Sequence, residues 1–197
     1  MTFILGLTGG IATGKTTVAN YFKRRAIPIV DSDIIAREVV EPGTVGLEKI
    51  RLHFGDGILT EEGHLNRKKL GNIVFSDELK RQLLNQLLSE ELAEAISGEI
   101  KKWVVQKIPL VVVDVPLMYE AHYDRRVNQV MVVYVPEKIQ LERLMARDQL
   151  SEAEARKRIA SQLPIEEKRH LADILIDNSG TVAETEEQLD KWMATCN

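Results

Sequence analysis

Cysteine is almost absent from this sequence. The 197 residues include one cysteine, Cys196, next to the C-terminus. A single cysteine cannot close a disulfide within the chain, so we expect a reducing compartment. The four histidines are scattered without the spacing of metal ligands: His53, His64, His122 and His170. The sequence therefore predicts neither a disulfide framework nor a histidine–cysteine metal centre.

Long apolar runs and an excess of basic charge are also missing. No run approaches the roughly 18 residues that cross a membrane, and Val130–Val135 has only the length of a buried strand. The stretch Met1–Leu5 has no basic residue and does not resemble a signal peptide. The formal net charge of −4 argues against non-specific binding to nucleic acid. We expect a cytoplasmic protein, a monomer or small homo-oligomer, with small-molecule partners and neither nucleic acid nor membrane.

Short apolar runs alternate with helical patterns along the chain. The runs are rich in β-branched residues: Phe3–Leu7, Ile27–Val30, Leu110–Val113, Val130–Val135 and Ile174–Ile176. Continuous apolar runs indicate strands covered on both faces, and their alternation with helices indicates a parallel sheet. The sequence therefore predicts an α/β fold with a doubly wound five-stranded parallel sheet.

The second and third predicted strands are separated by roughly eighty residues, more than a simple crossover needs. Within this stretch, Glu78–Gln106 has leucines and isoleucines at three-and-four spacing, which predicts a long helix, with a possible break near Ser89 or Gly98. We expect a nucleotide-binding core over 1–41 and 109–197, and a helical substrate domain over 42–108. The alternative is that the extra helices only cover the sheet.

A glycine-rich motif follows the first predicted strand. Gly9–Thr16 reads GGIATGKT and fits G-x-x-x-x-G-K-[ST], a match with a chance probability of about 1% in a chain of this length. Glycines let backbone N–H groups face phosphates, and the helix that starts near Gly14 adds free N–H groups and partial positive charge. Lys15 can reach the β- and γ-phosphates, and the Thr16 hydroxyl can bind Mg²⁺. The alternative is a glycine-rich turn without a phosphate.

The motif predicts a binding site for ATP with Mg²⁺. The expected nucleotide-binding residues are Gly10, Ile11, Ala12, Thr13, Gly14, Lys15, Thr16 and Thr17.

Aspartates end the second and third predicted strands. The carboxyl ends of parallel strands face the ligand crevice, and there Asp33 can accept the proton of an acceptor hydroxyl, unless it and Asp31 cap the next helix. Asp114 follows Leu110–Val113 and is typical of the metal-side carboxylate of phosphoryl-transfer enzymes. A purely structural role for Asp114 is the alternative.

Two further segments have the chemistry of nucleotide contacts. The helical pattern Glu137–Arg147 puts Arg143 and Arg147 on one face, where a mobile lid, at about 143–165, can bring them over ATP. A solvated surface helix would have the same pattern. The turn Asp177–Gly180 after the last strand can pass under a purine ring, or it can be an Asx-type turn into the helix capped by Thr181 and Glu184. Ser151 and Glu154 predict a second capping box.

The order and spacing of these motifs resemble the dephospho-CoA kinase family. The resemblance runs from Ile4 to about Trp192 and rests on the following segments: Leu5–Thr16, Asp31–Val40, Pro42–Thr44, Asn66–Gly71, Asp114–Glu120, Arg143–Arg147 and Asp177–Gly180. The chain departs from the family pattern at Ser89-Glu90, where His-Pro is common, so the long helix can run on unbroken there. It also departs at Ala12, where glycine is absent without much expected effect.

The resemblance implies that ATP phosphorylates 3′-dephospho-CoA, the last step of coenzyme A synthesis. By the family pattern Lys15 holds phosphates, Asp33 is the base and Arg143 stabilises the transferring group. Arg147, Asn178 and Gly180 would contact the nucleotide. The residues that would line the acceptor side are Thr8, Asp33, Arg37, Arg67, Pro116, Leu117 and Glu120, and the metal ligands would be Thr16 and Asp114. The choice of acceptor comes only from the resemblance.

Other classes of nucleotide-binding protein also have a phosphate loop. A nucleoside-monophosphate or shikimate-type kinase would have the same core and a different insertion. A non-catalytic nucleotide-binding regulator would keep Lys15 and lose the base. A GTPase is disfavoured because the N-K-x-D motif is missing.

Overall fold

Five strands form the framework of the fold. The computed structural model describes residues 1–75 and 77–196, and its strands are β1 (Phe3–Gly9), β2 (Ile29–Asp31), β3 (Leu110–Asp114), β4 (Gln129–Tyr134) and β5 (Ile174–Asp177). The sheet order is β2-β3-β1-β4-β5. β1 pairs in parallel with β3 and β4, and β4 pairs in parallel with β5. The predicted doubly wound five-stranded parallel sheet is confirmed.

The two largest differences from the predicted strand boundaries, of two residues each, have physical reasons. β2 begins at Ile29 rather than Ile27, because Pro28 has no N–H to donate and contributes only its carbonyl, which accepts from the Val112 N–H at 2.9 Å. β1 continues past Leu7, since Thr8 and Gly9 pair with Val132 and Val133 of β4. The strand therefore carries the chain directly into the glycine-rich motif.

Helices occupy most of the remaining chain. They are α1 (Lys15–Arg24), α2 (Ser32–Glu38), α3 (Val45–Phe54), α4 (Arg67–Phe75), α5 (Glu78–Val105), α6 (Glu137–Asp148), α7 (Glu152–Ile159), α8 (Ile165–Leu171) and α9 (Val182–Thr195). α5 runs without the possible break at Ser89 or Gly98. Both predicted capping boxes are present, at the starts of α7 and α9. In the described residues, no helix combines the length and the apolar character needed to cross a bilayer.

The described residues divide into two compact units. One comprises Met1–Val30 and Trp103–Asn197, and the other comprises Asp31–Lys102. The core of the first unit joins β1, β3 and β4 to α1 and α9, and the predicted inward residues of α1, Val18, Tyr21 and Phe22, are fully buried in it. The second unit has its own core of Val40, Ile50, Ile58, Leu70 and Val74. Each unit thus buries an apolar cluster of its own.

Candidate active site

The glycine-rich motif forms a tight loop between β1 and α1. The loop closes through a hydrogen bond from the Thr13 N–H to the Gly10 carbonyl at 3.2 Å, and α1 starts at Lys15. Gly14 caps α1 with a φ of 89°, in the left-handed region that favours glycine. A Cβ at Gly14 would also collide with the side-chain amide of Asn178. The first turn of α1 therefore presents free backbone N–H groups at the loop, as an anion site requires.

Ala12 has left-handed backbone without being glycine. Its φ is 61°, and this conformation costs an L-residue about 1–2 kcal/mol. The expectation that Ala12 has little effect did not include this strain, because the motif pattern says nothing about φ at its variable positions.

Lys15 and Asp114 form an ion pair at the carboxyl end of the central strands. Asp114 ends β3 and lies in register with Leu7 of β1, and its Oδ1 accepts a hydrogen bond from the Lys15 ammonium. The two side chains are 19% and 8% exposed. The structure thus brings together the predicted phosphate-binding lysine and the predicted metal-side carboxylate.

Thr16 and Asp114 are the predicted ligands of Mg²⁺. The described residues contain no group of three or more histidine, cysteine, aspartate or glutamate side chains that could hold a metal ion. Mg²⁺ in phosphoryl-transfer sites needs only one or two protein oxygens, because substrate phosphates and water supply the others. Thr16 is exposed in the first turn of α1. A hydroxyl and a carboxylate are the hard oxygen ligands that suit this ion.

Two glutamines hold the backbone of Ile11. The side-chain oxygen of Gln162 accepts from the Ile11 N–H at 2.9 Å, and the side-chain amide of Gln140 donates to the Ile11 carbonyl at 2.9 Å. Gln140 is 2% exposed, and a Cβ at Gly10 would lie 2.5 Å from its amide nitrogen. Our sequence reasoning missed both glutamines, because neither Gln140 in α6 nor Gln162 in the bend after α7 differs in sequence pattern from a surface residue.

The two predicted lid arginines differ in their contacts. Arg147 is paired with Asp148, with 2.8 Å between Nε and Oδ1, and this hydrogen bond lowers the pKa of Asp148. Arg143 is half-buried in the middle of α6 and makes no ion pair with any residue that the structure describes. Of the two, Arg143 has its guanidinium available for an anion.

The turn after β5 has the Asx-type geometry that was one of the two interpretations of its sequence. The Asp177 carboxylate accepts from the Ser179 N–H at 2.8 Å, which makes an Asx-type turn into α9. Asn178 is buried, and its amide donates to the Thr13 carbonyl at 2.7 Å and accepts from the Thr185 hydroxyl at 2.8 Å. Since its side chain is engaged in this way, Asn178 would offer only its backbone to a nucleotide. A Cβ at Gly180 would lie 2.3 Å from a Glu184 carboxylate oxygen, so a larger residue there would displace that side chain.

Segment 116–120, after β3, is tied to the end of β1 and to α8. Thr8 is fully buried, and its hydroxyl donates to the Pro116 carbonyl at 3.0 Å. Glu120 pairs with Lys168 of α8 at 2.9 Å, whereas Leu117 is exposed. Lys168 is a residue that our sequence reasoning missed. Its only signal is its place three residues after Ile165, on the buried face of a short helix.

In the second unit, Asp31 and Asp33 have different roles. Asp31 is the N-cap of α2, since its carboxylate accepts from the N–H groups of Asp33 at 2.9 Å and Ile34 at 3.2 Å. The capping alternative therefore applies to Asp31. Asp33 is exposed in the first turn of α2, and its carboxylate has no hydrogen-bond or ion-pair partner within 1–75 and 77–196. A free carboxylate is what a general base requires.

Two predicted acceptor-side arginines lie together in the same unit. The Arg67 guanidinium donates to the Arg37 carbonyl at 3.0 Å and lies 3.5 Å from a Glu41 carboxylate oxygen. Both side chains are exposed. They form a basic surface beside α2 that suits an anionic ligand.

A cavity of about 460 Å³ lies beside segment 116–120 and apart from the phosphate loop. It is lined by Tyr119, Glu120, His122, Asp124, Val130, Leu163, Leu171 and Asp173. Burial and the nearby carboxylates of Asp173 and Asp124 raise the pKa of Tyr119. Because three carboxylates line this cavity, it disfavours phosphate groups.

Comparisons with known proteins cover nearly the whole chain. A family model described as dephospho-CoA kinase matches residues 3–184. The chain is 55% identical to the dephospho-CoA kinase of Enterococcus faecalis, over 98% of this chain and 96% of the relative. It is 48% identical to that of Oryza sativa subsp. japonica, over 95% of this chain and 82% of the relative. A solved dephospho-CoA kinase from Campylobacter jejuni superposes with a TM-score of 0.75 at 28% identity, covering 98% of this chain and 96% of that one.

Proposed function

The chain belongs to the dephospho-CoA kinase family, and we propose that it transfers the γ-phosphoryl group of ATP to the ribose 3′-hydroxyl of 3′-dephospho-CoA. The products are ADP and CoA, and the reaction is the last step of coenzyme A synthesis. The observation that carries this proposal is the phosphate loop between β1 and α1, with Lys15 beside Asp114, in a chain that matches the family over residues 3–184.

The nucleotide side of the reaction uses the first unit. The loop N–H groups and the start of α1 attract the phosphates. When ATP binds, the Lys15 ammonium leaves Asp114 and pairs with the β- and γ-phosphates. Mg²⁺, held by Thr16 and Asp114, would neutralise charge on the transferring phosphoryl group. The backbone of Asn178 and Gly180 contacts the adenine side, and Arg147 contacts the nucleotide from α6.

The acceptor side uses exposed charge and one carboxylate. Arg37 and Arg67 attract the phosphates of dephospho-CoA, and Asp33 takes the proton of the 3′-hydroxyl as that oxygen attacks the γ-phosphorus. Pro116, Leu117 and Glu120 line the acceptor, while Thr8 acts through its hydrogen bond to Pro116. Arg143 donates to the phosphoryl oxygens as charge develops on them.

The organisation of the chain follows these roles. We propose a nucleotide-binding core over 1–41 and 109–197, a lid at about 143–165 and a substrate domain over 42–108. The enzyme works in the cytoplasm as a monomer or a small homo-oligomer.

The test is direct detection of the product. We expect the protein with Mg-ATP and dephospho-CoA to form CoA, identified by mass, and Lys15→Ala to lower the rate at least about a hundredfold because it removes a charge from the moving phosphates. Lys23→Ala is the matched control, since Lys23 is an exposed lysine of the same helix. A wild-type protein that binds ATP but makes no CoA would contradict the proposal.

A panel of acceptors separates the remaining readings. A nucleoside-monophosphate or shikimate-type kinase would release ADP with its own acceptor in a coupled assay. A regulator would bind ATP without turnover on any acceptor. The family match over nearly the whole chain disfavours both.

A further inference from the structure

A fully buried lysine joins the end of β1 to segment 116–120. Lys168 is 0% exposed, and its Nζ lies 2.9 Å from a Glu120 carboxylate oxygen and 3.0 Å from the Pro116 carbonyl oxygen. The carbonyl oxygen of Gly9, at the end of β1, lies 3.5 Å from the same nitrogen. An ammonium has three N–H donors, and three acceptors meet it here. The charge is thus paired and hydrogen-bonded, as burial requires.

Two further hydrogen bonds complete this arrangement. The Thr8 hydroxyl donates to the Pro116 carbonyl at 3.0 Å, and the Leu163 N–H donates to the Glu120 oxygen that also contacts Lys168, at 2.9 Å. Segment 116–120 is therefore held at both ends. Pro116 is held by β1 and α8, and Glu120 is held by α8 and by Leu163. Gln162 in turn accepts from the Ile11 N–H of the phosphate loop.

We propose that Lys168 is a positioning residue for phosphoryl transfer. It fixes segment 116–120 relative to the start of the phosphate loop and so sets the alignment of the acceptor hydroxyl with the γ-phosphate. Because protein encloses the lysine on all sides, it acts without touching either substrate. The inference rests on the proposed function, in which this segment lines the acceptor.

A purely structural ion pair would have a different consequence, and this difference makes the inference testable. Removing one partner of a buried pair leaves an uncompensated charge and destabilises the fold, whereas replacing both by neutral groups of similar volume is often harmless. The alignment of the reacting groups tolerates less change than the stability of the fold does, since a misplacement of about 1 Å lowers a rate about a hundredfold. The double variant Lys168→Met/Glu120→Gln therefore separates stability from positioning.

The experiment compares Lys168→Met, Glu120→Gln and the double variant with wild type. We expect Lys168→Met alone to lower the melting temperature and the double variant to restore it to within a few degrees. In the double variant we expect the ATP Kd to stay within about threefold, kcat to fall at least about thirtyfold and the KM for dephospho-CoA to rise. Recovery of kcat together with the melting temperature would overturn the inference.

Lys191→Met is the matched control for loss of a lysine–glutamate pair. Its partner is Glu187, and the two side chains are 72% and 65% exposed. Exposed pairs of this kind contribute little to stability, and α9 carries no acceptor contact in the proposed function. We expect an unchanged kcat. A loss of kcat as large as that of the double variant would show that the effect is not particular to the buried pair, and it would overturn the inference.

Amide hydrogen exchange provides a readout that needs no acceptor. The N–H groups of Ala121, His122 and Tyr123 donate to the carbonyls of Leu117, Tyr119 and Met118. In the double variant we expect exchange at these amides to rise at least about tenfold, while the amides of β3 keep their protection. If wild type makes no CoA, the proposed function fails, and this measurement still shows whether the Lys168–Glu120 pair holds segment 116–120 in place. Unchanged exchange over 115–123 would overturn the inference.

Discussion

Asp33 and Asp31 are two residues apart in sequence and differ in what their carboxylates contact. Asp31 accepts two backbone N–H groups at the start of α2, whereas Asp33 is exposed in the first turn. The contacts of the first are those of a helix cap. Among the described residues, the carboxylate of Asp33 has no hydrogen-bond or ion-pair partner, which supports its proposed role as the base.

Asp33→Asn is the variant that tests this role. We expect kcat for CoA formation to fall about a hundred- to ten-thousandfold, because an amide cannot accept the hydroxyl proton, while the ATP Kd measured by calorimetry stays near the wild-type value. Asp31→Asn is the control, since asparagine caps helices as well as aspartate, and we expect near-normal activity from it. A change in ATP affinity alone would move Asp33 to a metal-binding or structural role.

Single residues could be predicted where a motif fixes their chemistry. Lys15 and Asp114 follow from the phosphate-loop pattern and the end of a strand, and the structure brings them together. Gln140 and Lys168 could not be predicted, because their roles depend on buried tertiary contacts. Gln140 contacts the Ile11 carbonyl, and Lys168 contacts segment 116–120. Helical spacing alone does not distinguish these polar residues from exposed ones, because tertiary packing decides their burial. The ligand roles of the predicted residues stay predictions.

At the scale of elements, α9 depends on a cap that is also sensitive to acid. The Thr181 hydroxyl accepts from the Glu184 N–H at 3.3 Å, and the Glu184 carboxylate accepts from the Thr181 N–H at 2.7 Å. That N–H and the Thr181 hydroxyl lower the pKa of Glu184. A lowered folded-state pKa means that this stabilisation is complete above the ordinary carboxyl pKa and is lost as the pH falls through the lowered value.

We expect Thr181→Ala to lower the free energy of unfolding by about 1 kcal/mol. Denaturant titrations should give a value near wild type for Thr181→Ser, which keeps the hydroxyl. Across a pH series, the stability difference between wild type and Glu184→Ala should be largest at neutral pH and should shrink on acidification. A difference that is constant with pH would contradict the assigned role of the carboxylate.

Elements were predictable to the extent that their signals are local. Capping boxes depend on residues three positions apart, so both were found correctly at Ser151 and Thr181. Of the two alternatives for α5, the unbroken helix is confirmed and the break is not, since neither Ser89 nor Gly98 interrupts the helix. The low helix propensity of a serine or glycine costs less free energy than the packing of the helix contributes. The exact start of β2 depended on Pro28, which a count of apolar residues does not weigh.

At the scale of the whole molecule, two separate apolar cores stabilise two compact units. The second core contains Ile50, which is 0% exposed, while Leu52 on the same helix is 69% exposed. Local opening follows local packing. A cavity in this core should therefore loosen the unit that contains it.

We expect Ile50→Ala to destabilise residues 31–102 by about 2–5 kcal/mol, the usual range for a large-to-small core substitution. Amide exchange followed by mass spectrometry should show faster exchange in α3 and α4, with β1 and β3 little changed. Leu52→Ala is the matched control and should leave exchange close to wild type. Equal acceleration in β1 and α3 would mean that the two units open together.

The sheet architecture could be predicted better than the division of the chain into two compact units. Apolar strand patterns and helical spacing combine over many residues, so the parallel sheet emerged from sequence with its strands in nearly the right places. The compact units divide after Val30 and Lys102, a property of three-dimensional packing that no linker composition marks. The functional domain boundaries remain a proposal.

The hydrogen bond from Asn178 to the carbonyl of Thr13 spans 165 positions of the chain. A ribosome synthesises the phosphate loop long before Asn178, so during translation the Thr13 carbonyl has no such donor until Asn178, 165 residues later, has been added. The nascent enzyme therefore completes the support of its loop only after Asn178 has left the ribosome, and a product terminated before Asn178 would lack it.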